Sequence, residues 1–205
     1  MKPLTWYFDV ISPFAYLQST QLARLTPHAH ITFKPVVFAG LLQHFGNIGP
    51  AEIAPKRQWT FEHVAWTAHA LGVPLNPPAA HPFNPVAILR AIVAAGSTAH
   101  AVRTAFDYVW VQQGDLNDLT ALCKALDITH EAISAPSVKA ELIANGQAAI
   151  AANVFGVPTA AVDGNNFWGV DATDMLLAYL KGDTWFESTA YRAVKDFPQG
   201  VQRQK

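Results

Sequence analysis

Few residues in this chain combine a type and a spacing that could do chemistry. Ser12 is followed by Pro13 ahead of an apolar-periodic segment, so a hydroxyl stands where a helix begins. A helix start leaves amides unpartnered and carries positive potential. The same pair also serves as an ordinary helix opening, and local sequence does not separate the two roles. Far downstream, Gly156-Val157-Pro158-Thr159 leads into a short apolar run, and Asp171 stands where a last helix could begin. Cys123 is the only cysteine, which excludes an intrachain disulfide and a self-contained Cys-x-x-Cys pair. It sits in a short amphipathic stretch and reads as a buried small side chain. The eight histidines contain no His-Glu-x-x-His set. His63 and His69 point to different faces of a predicted helix, so no metal is expected. Dinucleotide and P-loop signatures are missing. Lys56 and Arg57 precede a helix, where they could meet an anionic substrate or form a solvated pair. Arg90 and Arg103 could reach a carboxylate, but neither can be assigned.

The elements that would position these residues follow from patterning. The chain has 205 residues, 51% apolar and 14% charged, enough to fill a core and too apolar for global disorder. A net charge of -1 gives no reason to expect nucleic-acid or anionic-membrane binding. The opening residues lack the apolar run of a secretion signal and no long apolar span occurs, so a cytoplasmic protein is expected. Six tryptophans and twelve phenylalanines should mostly fill the core, with some left to line a pocket for a flat substrate.

Leu4 to Val10 reads as a strand, Phe14 to Leu25 as a helix, and His30 to Phe38 as a second strand that Pro35 demotes to an edge or bulge. Such a βαβ unit sets the end of the first strand against the start of the helix, where open sheets place ligands. Gly40 to Pro50 reads as a loop or a broken short helix. Helices are predicted over Gln58–Leu71, Asn84–Ala95, from Ser97 or Thr98 past Trp110, and over Leu116–Leu126. A proline-rich loop interrupts them at Gly72–Pro85. Pro136–Asn153 forms a further helix. Ala160–Val162 and Asn165–Trp168 pair through an Asp163-Gly164 turn, and Asp171 caps a helix to Leu180. The tail beyond Gly182 packs through Trp185, Phe186 and Tyr191. The order is β-α-β, helical block, α-β-β-α, an α/β thioredoxin topology with a helical insertion. The division expected is a discontinuous thioredoxin-like domain over 1–39 and 136–182, a helical insertion over 40–135, and a tail over 183–205 packing on the domain.

Two segments of this framework carry a family resemblance. Asp9-Val10-Ile11-Ser12-Pro13-Phe14-Ala15-Tyr16-Leu17 resembles the opening of 2-hydroxychromene-2-carboxylate isomerases and kappa-class glutathione transferases, a branch of the DsbA-like group. Gly156-Val157-Pro158-Thr159, Phe167-Trp168-Gly169 and Asp171 resemble its second signature. The resemblance implies glutathione as cofactor. Ser12 stands where redox relatives carry a cysteine and Ala15 where they carry the second. Its hydroxyl would donate to the glutathione thiolate, aided by the helix amides around Pro13 and Phe14. A hydrogen bond to a charged acceptor is worth ~1.5–3 kcal/mol, or about one or two pKa units. Pro158 would be the cis-proline that leaves the Val157 main chain free to pair with the cysteinyl unit. Asp171 and the Val170 amide would hold the γ-glutamyl end, and Asn47 the glutathione backbone.

The activity implied is the interconversion of 2-hydroxychromene-2-carboxylate and trans-o-hydroxybenzylidenepyruvate, as in naphthalene degradation. A thiolate adds to the benzylic carbon, the former double bond rotates, the thiolate leaves, and the phenol closes on the ketone. The site must stabilise an enolate and hold an aromatic ring, with Phe14 and Trp168 the first candidates for the ring. The resemblance also suggests a homodimer. Two alternatives stay open. One is a kappa-type transferase that conjugates small electrophiles. The other is a noncatalytic thioredoxin-fold binding or chaperone module. A dithiol oxidoreductase conflicts with the cysteine count.

Overall fold

A computed structural model of the protein describes residues 1–195, 197–198 and 200. β1 (Lys2–Phe8) buries Leu4, Trp6 and Phe8 on one face and Tyr7 on the other, the period-two pattern of a central strand. It starts earlier than predicted and stops before Val10, because Asp9 folds its carboxylate back onto the Ile11 and Phe38 amides. α1 (Pro13–Ser19) ends well short of Leu25. The Ser19 and Thr20 hydroxyls donate to the Tyr16 and Leu17 carbonyls at 2.6 and 2.7 Å and compete with helix propagation. A 3-10 turn, Leu22–Arg24, follows. β2 (Ala29–Pro35) pairs parallel with β1 and is an edge strand, with Pro35 closing it opposite Phe8.

The segment expected to be a loop or broken helix contains α2 (Phe38–Phe45). Its first amide is capped by Asp9 from a distant part of the chain, and Gly46 at φ 65° stops it. α3 (Ala54–Leu71) starts ahead of Gln58, with Pro55 in its first turn. The proline-rich loop leads to α4 (Val86–Ala94) and α5 (Ala99–Trp110), the latter capped by Thr98 Oγ1 on the Ala101 amide at 3.1 Å. α6 is shorter than predicted, Thr120–Leu126, because the Asp118 carboxylate holds the preceding turn through the Thr120 amide. Cys123 lies in α6, 5% exposed, and burial pushes its thiol pKa up.

α7 (Pro136–Ala151) precedes β3 (Thr159–Val162) and β4 (Asn165–Trp168). Asp163 and Gly164, at φ 50° and 75°, make the tight turn that two positive φ values require. α8 is Thr173–Leu180. Asp171 does not cap it: Asp171 sits in a 3-10 turn, Val170–Ala172, and Ala172 is the cap residue. The tail forms a 3-10 turn, Thr184–Glu187, and α9 (Thr189–Lys195). There Phe186 packs against Phe167, Tyr179 and Tyr191. Residues 196, 199 and 201–205 of the expected tail lie outside the described residues.

The sheet runs β2-β1-β3-β4, with β1–β2 parallel and the other pairs antiparallel. Leu4, Trp6 and Phe8 share one core with Ile88 and Leu89 of α4 and Phe106 and Trp110 of α5. The helices between β2 and β3 are therefore fused to the sheet through apolar packing. Tyr7 heads a second cluster with Val36, Leu41 and Ala149, where α2 and α7 cover the opposite face. Among the described residues no helix is long and apolar enough to cross a membrane.

Candidate active site

The register Tyr7↔Thr159 sets the end of β1 beside the start of β3. The loop Asp9–Ser12 and the turn Val157–Pro158 therefore share one edge of the sheet. Pro158 follows a cis peptide bond. Ser12 caps α1: its Oγ accepts the Ala15 amide at 3.2 Å, and its carbonyl accepts the Tyr16 amide at 3.1 Å. An oxygen that accepts in this way keeps its own proton to donate. Ser12 Oγ donates to nothing, and the Phe14 amide has no partner, among the described residues. Pro13 has no amide to offer. Two donors thus stand unused at the start of α1.

The other side is equally open. Neither the N–H nor the C=O of Val157 takes part in a hydrogen bond among the described residues. The Pro158 carbonyl accepts the Gly169 amide at 2.9 Å, and the Gly169 carbonyl accepts Gln18 Nε2 at 2.8 Å. Gln18 also reaches Thr173 Oγ1 at 3.2 Å and accepts Trp6 Nε1 at 2.7 Å. This buried amide locks α1 to the Gly169 turn and so to Pro158. Gly169 holds φ 94°, and a Cβ there would overlap Asp171 Oδ1, so only glycine lets the carboxylate fold over the turn. Asp171 is exposed and Val170 half-buried beside it.

Three groups pin the Ser12 loop, and sequence reasoning identified none of them in that role. Asp9 is fully buried, with Oδ1 accepting the Ile11 amide at 3.0 Å and Oδ2 the Phe38 amide at 2.8 Å. Burial pushes its pKa up from 3.8 to about 7, while the two amides pull the other way. In its neutral form it sets no negative charge behind Ser12. Trp110 Nε1 donates to the Val10 carbonyl at 2.8 Å. His81, from the proline-rich loop, bonds the Ile11 carbonyl through Nε2 at 2.9 Å. A carbonyl only accepts, so Nε2 carries the proton. Nδ1 is buried without a partner, and burial lowers the His81 pKa. Of these only Asp9 left a signal in the sequence, a carboxylate ending an aromatic strand; for Gln18 the signal was an amide on a buried helix face.

The remaining predicted residues divide. Phe14 lies on the α3 side, its ring 5.6 Å from that of His63. Trp168 lies on the turn side, 53% exposed, packed 5.1 Å from Phe155, and shares no ring contact with Phe14. A Cβ on Gly156 would stand 2.7 Å from Trp168 Nε1, so the glycine makes room for the indole. Asn47 follows the C-terminal end of α2, about 12 Å along the helix from the Asp9-capped start. No hydrogen bond among the described residues ties its side chain to the Ser12 loop or the Pro158 turn. No group of three or more metal-ligating side chains occurs among the described residues.

The model of the DSBA-like thioredoxin domain matches residues 4–181. The chain belongs to the DSBA-like thioredoxin domain family. It is 28% identical over 191 residues to 2-hydroxychromene-2-carboxylate isomerase of Sphingobium xenophagum, covering 87% of this chain and 98% of that protein. It is 29% identical over 212 residues to glutathione S-transferase kappa 1 of Rattus norvegicus, covering 90% of this chain and 92% of the relative. A solved structure of 2-hydroxychromene-2-carboxylate isomerase superposes with a TM-score of 0.79 at 22% identity, over 96% of this chain and all of the other. That superposition shows a shared fold. For this family member, the sheet edge between α1 and Pro158 is the candidate active site.

Proposed function

We propose that this family member is a glutathione-dependent isomerase that interconverts 2-hydroxychromene-2-carboxylate and trans-o-hydroxybenzylidenepyruvate. The observation that carries the reading is the set of unused groups at one sheet edge: the Ser12 hydroxyl proton, the Phe14 amide, and the Val157 amide and carbonyl. These fit an extended peptide that bears an anionic sulfur. Ser12 and Phe14 N–H would meet the sulfur. The Val157 main chain would pair with the cysteinyl unit, and the Asp171 carboxylate and Val170 amide would hold the γ-glutamyl end. When bound, glutathione supplies a nucleophilic thiolate that can add reversibly to a conjugated double bond. The chain's own task is to hold that sulfur ionised through Ser12, keep water out with Phe14, and fix the loop through Asp9, Trp110 and His81. Asn47 remains a proposed contact for the peptide backbone, and Trp168 for the ring.

The relatives carry two names, so the deciding experiment follows the trans benzylidenepyruvate by its absorption spectrum, with and without glutathione. Ring closure only with the thiol, and glutathione recovered unchanged, is the expected result. An accumulating thioether would make the protein a transferase. No spectral change under either condition would leave a binding module.

A further inference from the structure

Helix α3 presents a face to solvent that its own packing does not explain. Val64 and Ala68 are its buried side, while Trp59, His63 and Trp66 project from the opposite side within an arc of about 60°. Trp59 and Trp66 are each 65% exposed. Large aromatic side chains gathered on one exposed face mark a binding site more often than ones scattered singly. This one is continuous with the candidate active site. Phe14, two residues past Ser12, has its ring 5.6 Å from His63, and His63 stacks on Trp59 at 6.1 Å and 22°. At the start of the same face stands Lys56, exposed and in no ion pair among the described residues. The acid nearby, Glu62, lies on the flank of the helix and takes a hydrogen bond from Gln58 at 2.9 Å.

We propose that Phe14, His63 and Trp59 form a shelf for the ring of a flat aromatic carboxylate beside Ser12, with Lys56 meeting the carboxylate. The placement of the reacting group rests on the isomerase reading, but the ligand chemistry is set by α3 itself. Indole and imidazole faces take an arene by stacking. A solvated lysine at one end of the stripe favours an anion there. His63, between the two rings, faces whatever polar edge the ring carries.

The test is calorimetric titration of the full chain with chromone-2-carboxylate, a flat anionic ring that cannot be isomerised, and separately with glutathione. Wild type, Trp59→Ala and Lys56→Gln are compared, with sedimentation of each. The expected result is that Trp59→Ala weakens chromone-2-carboxylate binding by about tenfold or more and Lys56→Gln by about threefold. Glutathione affinity should stay within about twofold in both. Equal affinity of all three proteins for the chromone, or none in wild type, would overturn the shelf. So would a Trp59→Ala variant that binds the chromone normally but changes from dimer to monomer, since the face would then join two copies. Failure of wild type to bind glutathione would sink the isomerase reading and leave the chromone arm to decide the shelf. Both substituted side chains are exposed, so thermal melting within a few degrees of wild type verifies the fold.

Discussion

Asp9 makes the stability of this protein depend on pH in a direction opposite to that of most carboxylates. Its native pKa stands at about 7 against 3.8 when unfolded, because burial disfavours the charged form more than its two amide bonds favour it. Between those values the native state binds the extra proton. Stability from this group is therefore fully present below about pH 4 and is lost as pH rises through about 7. About three pKa units correspond to about 4 kcal/mol, nearly all of it spent between pH 4 and 8. Asp9→Asn keeps the shape and removes the titration. It also turns one amide group toward a backbone N–H that needs an acceptor, a pH-independent cost of ~1–3 kcal/mol. Urea unfolding of both proteins from pH 4 to 8 separates the two effects. His81 titrates in both and cancels in the difference. The variant should begin less stable and gain about 3–4 kcal/mol on wild type across the range. Stability curves that run parallel within about 0.5 kcal/mol would refute the reasoning, since the carboxyl would then titrate alike in both states.

Three further predictions concern the same neighbourhood. Ser12→Ala should raise the pKa of bound glutathione by about one to two units, read from thiolate absorbance at 240 nm, and should cost about 1 kcal/mol of stability through the lost cap; an unchanged thiol pKa would count against Ser12 as the donor. His81→Phe should gain stability relative to wild type as pH falls below about 6.5, because the unfolded imidazole takes a proton there that burial denies the native ring; Asp9 titrates in both proteins and cancels in the difference, so denaturation of both at pH 5 and 7 tests this, and an equal change in the two would reject it. Gly156→Ala should displace the Trp168 indole at a cost of ~1–3 kcal/mol, visible as a changed near-ultraviolet dichroism, and an unaltered spectrum would show that the turn yields instead.

Much of the scaffold was readable because its signals are local. The Asp163-Gly164 turn, the edge character that Pro35 imposes, and the caps at Ser12 and Thr98 are decided within a few residues. The helical pattern runs on past the end of α1 because Ser19 and Thr20 fit it by spacing, while their hydroxyls bond the Tyr16 and Leu17 carbonyls and end the helix. α2 was hidden because its N-terminal partner is Asp9, 29 residues away. Asp171 looked like a cap by type and position, but the positive φ of Gly169 turns its carboxylate over the preceding turn. The order Ser12, then Pro158, was legible as a pattern. Gln18, which ties α1 to the Gly169 turn across 151 residues, and His81, which holds the Ile11 carbonyl across 70, meet their partners only after folding.

The burial of Cys123 has a practical reach. A polypeptide whose lone sulfhydryl is shielded and reluctant to ionise offers alkylating agents no competing target. Electrophiles added to a mixture of protein and free tripeptide should be scavenged in solution while the chain stays unmodified. A cysteine introduced anywhere on the surface would then accept a maleimide dye alone, which makes the natural sequence a ready background for single-site labelling.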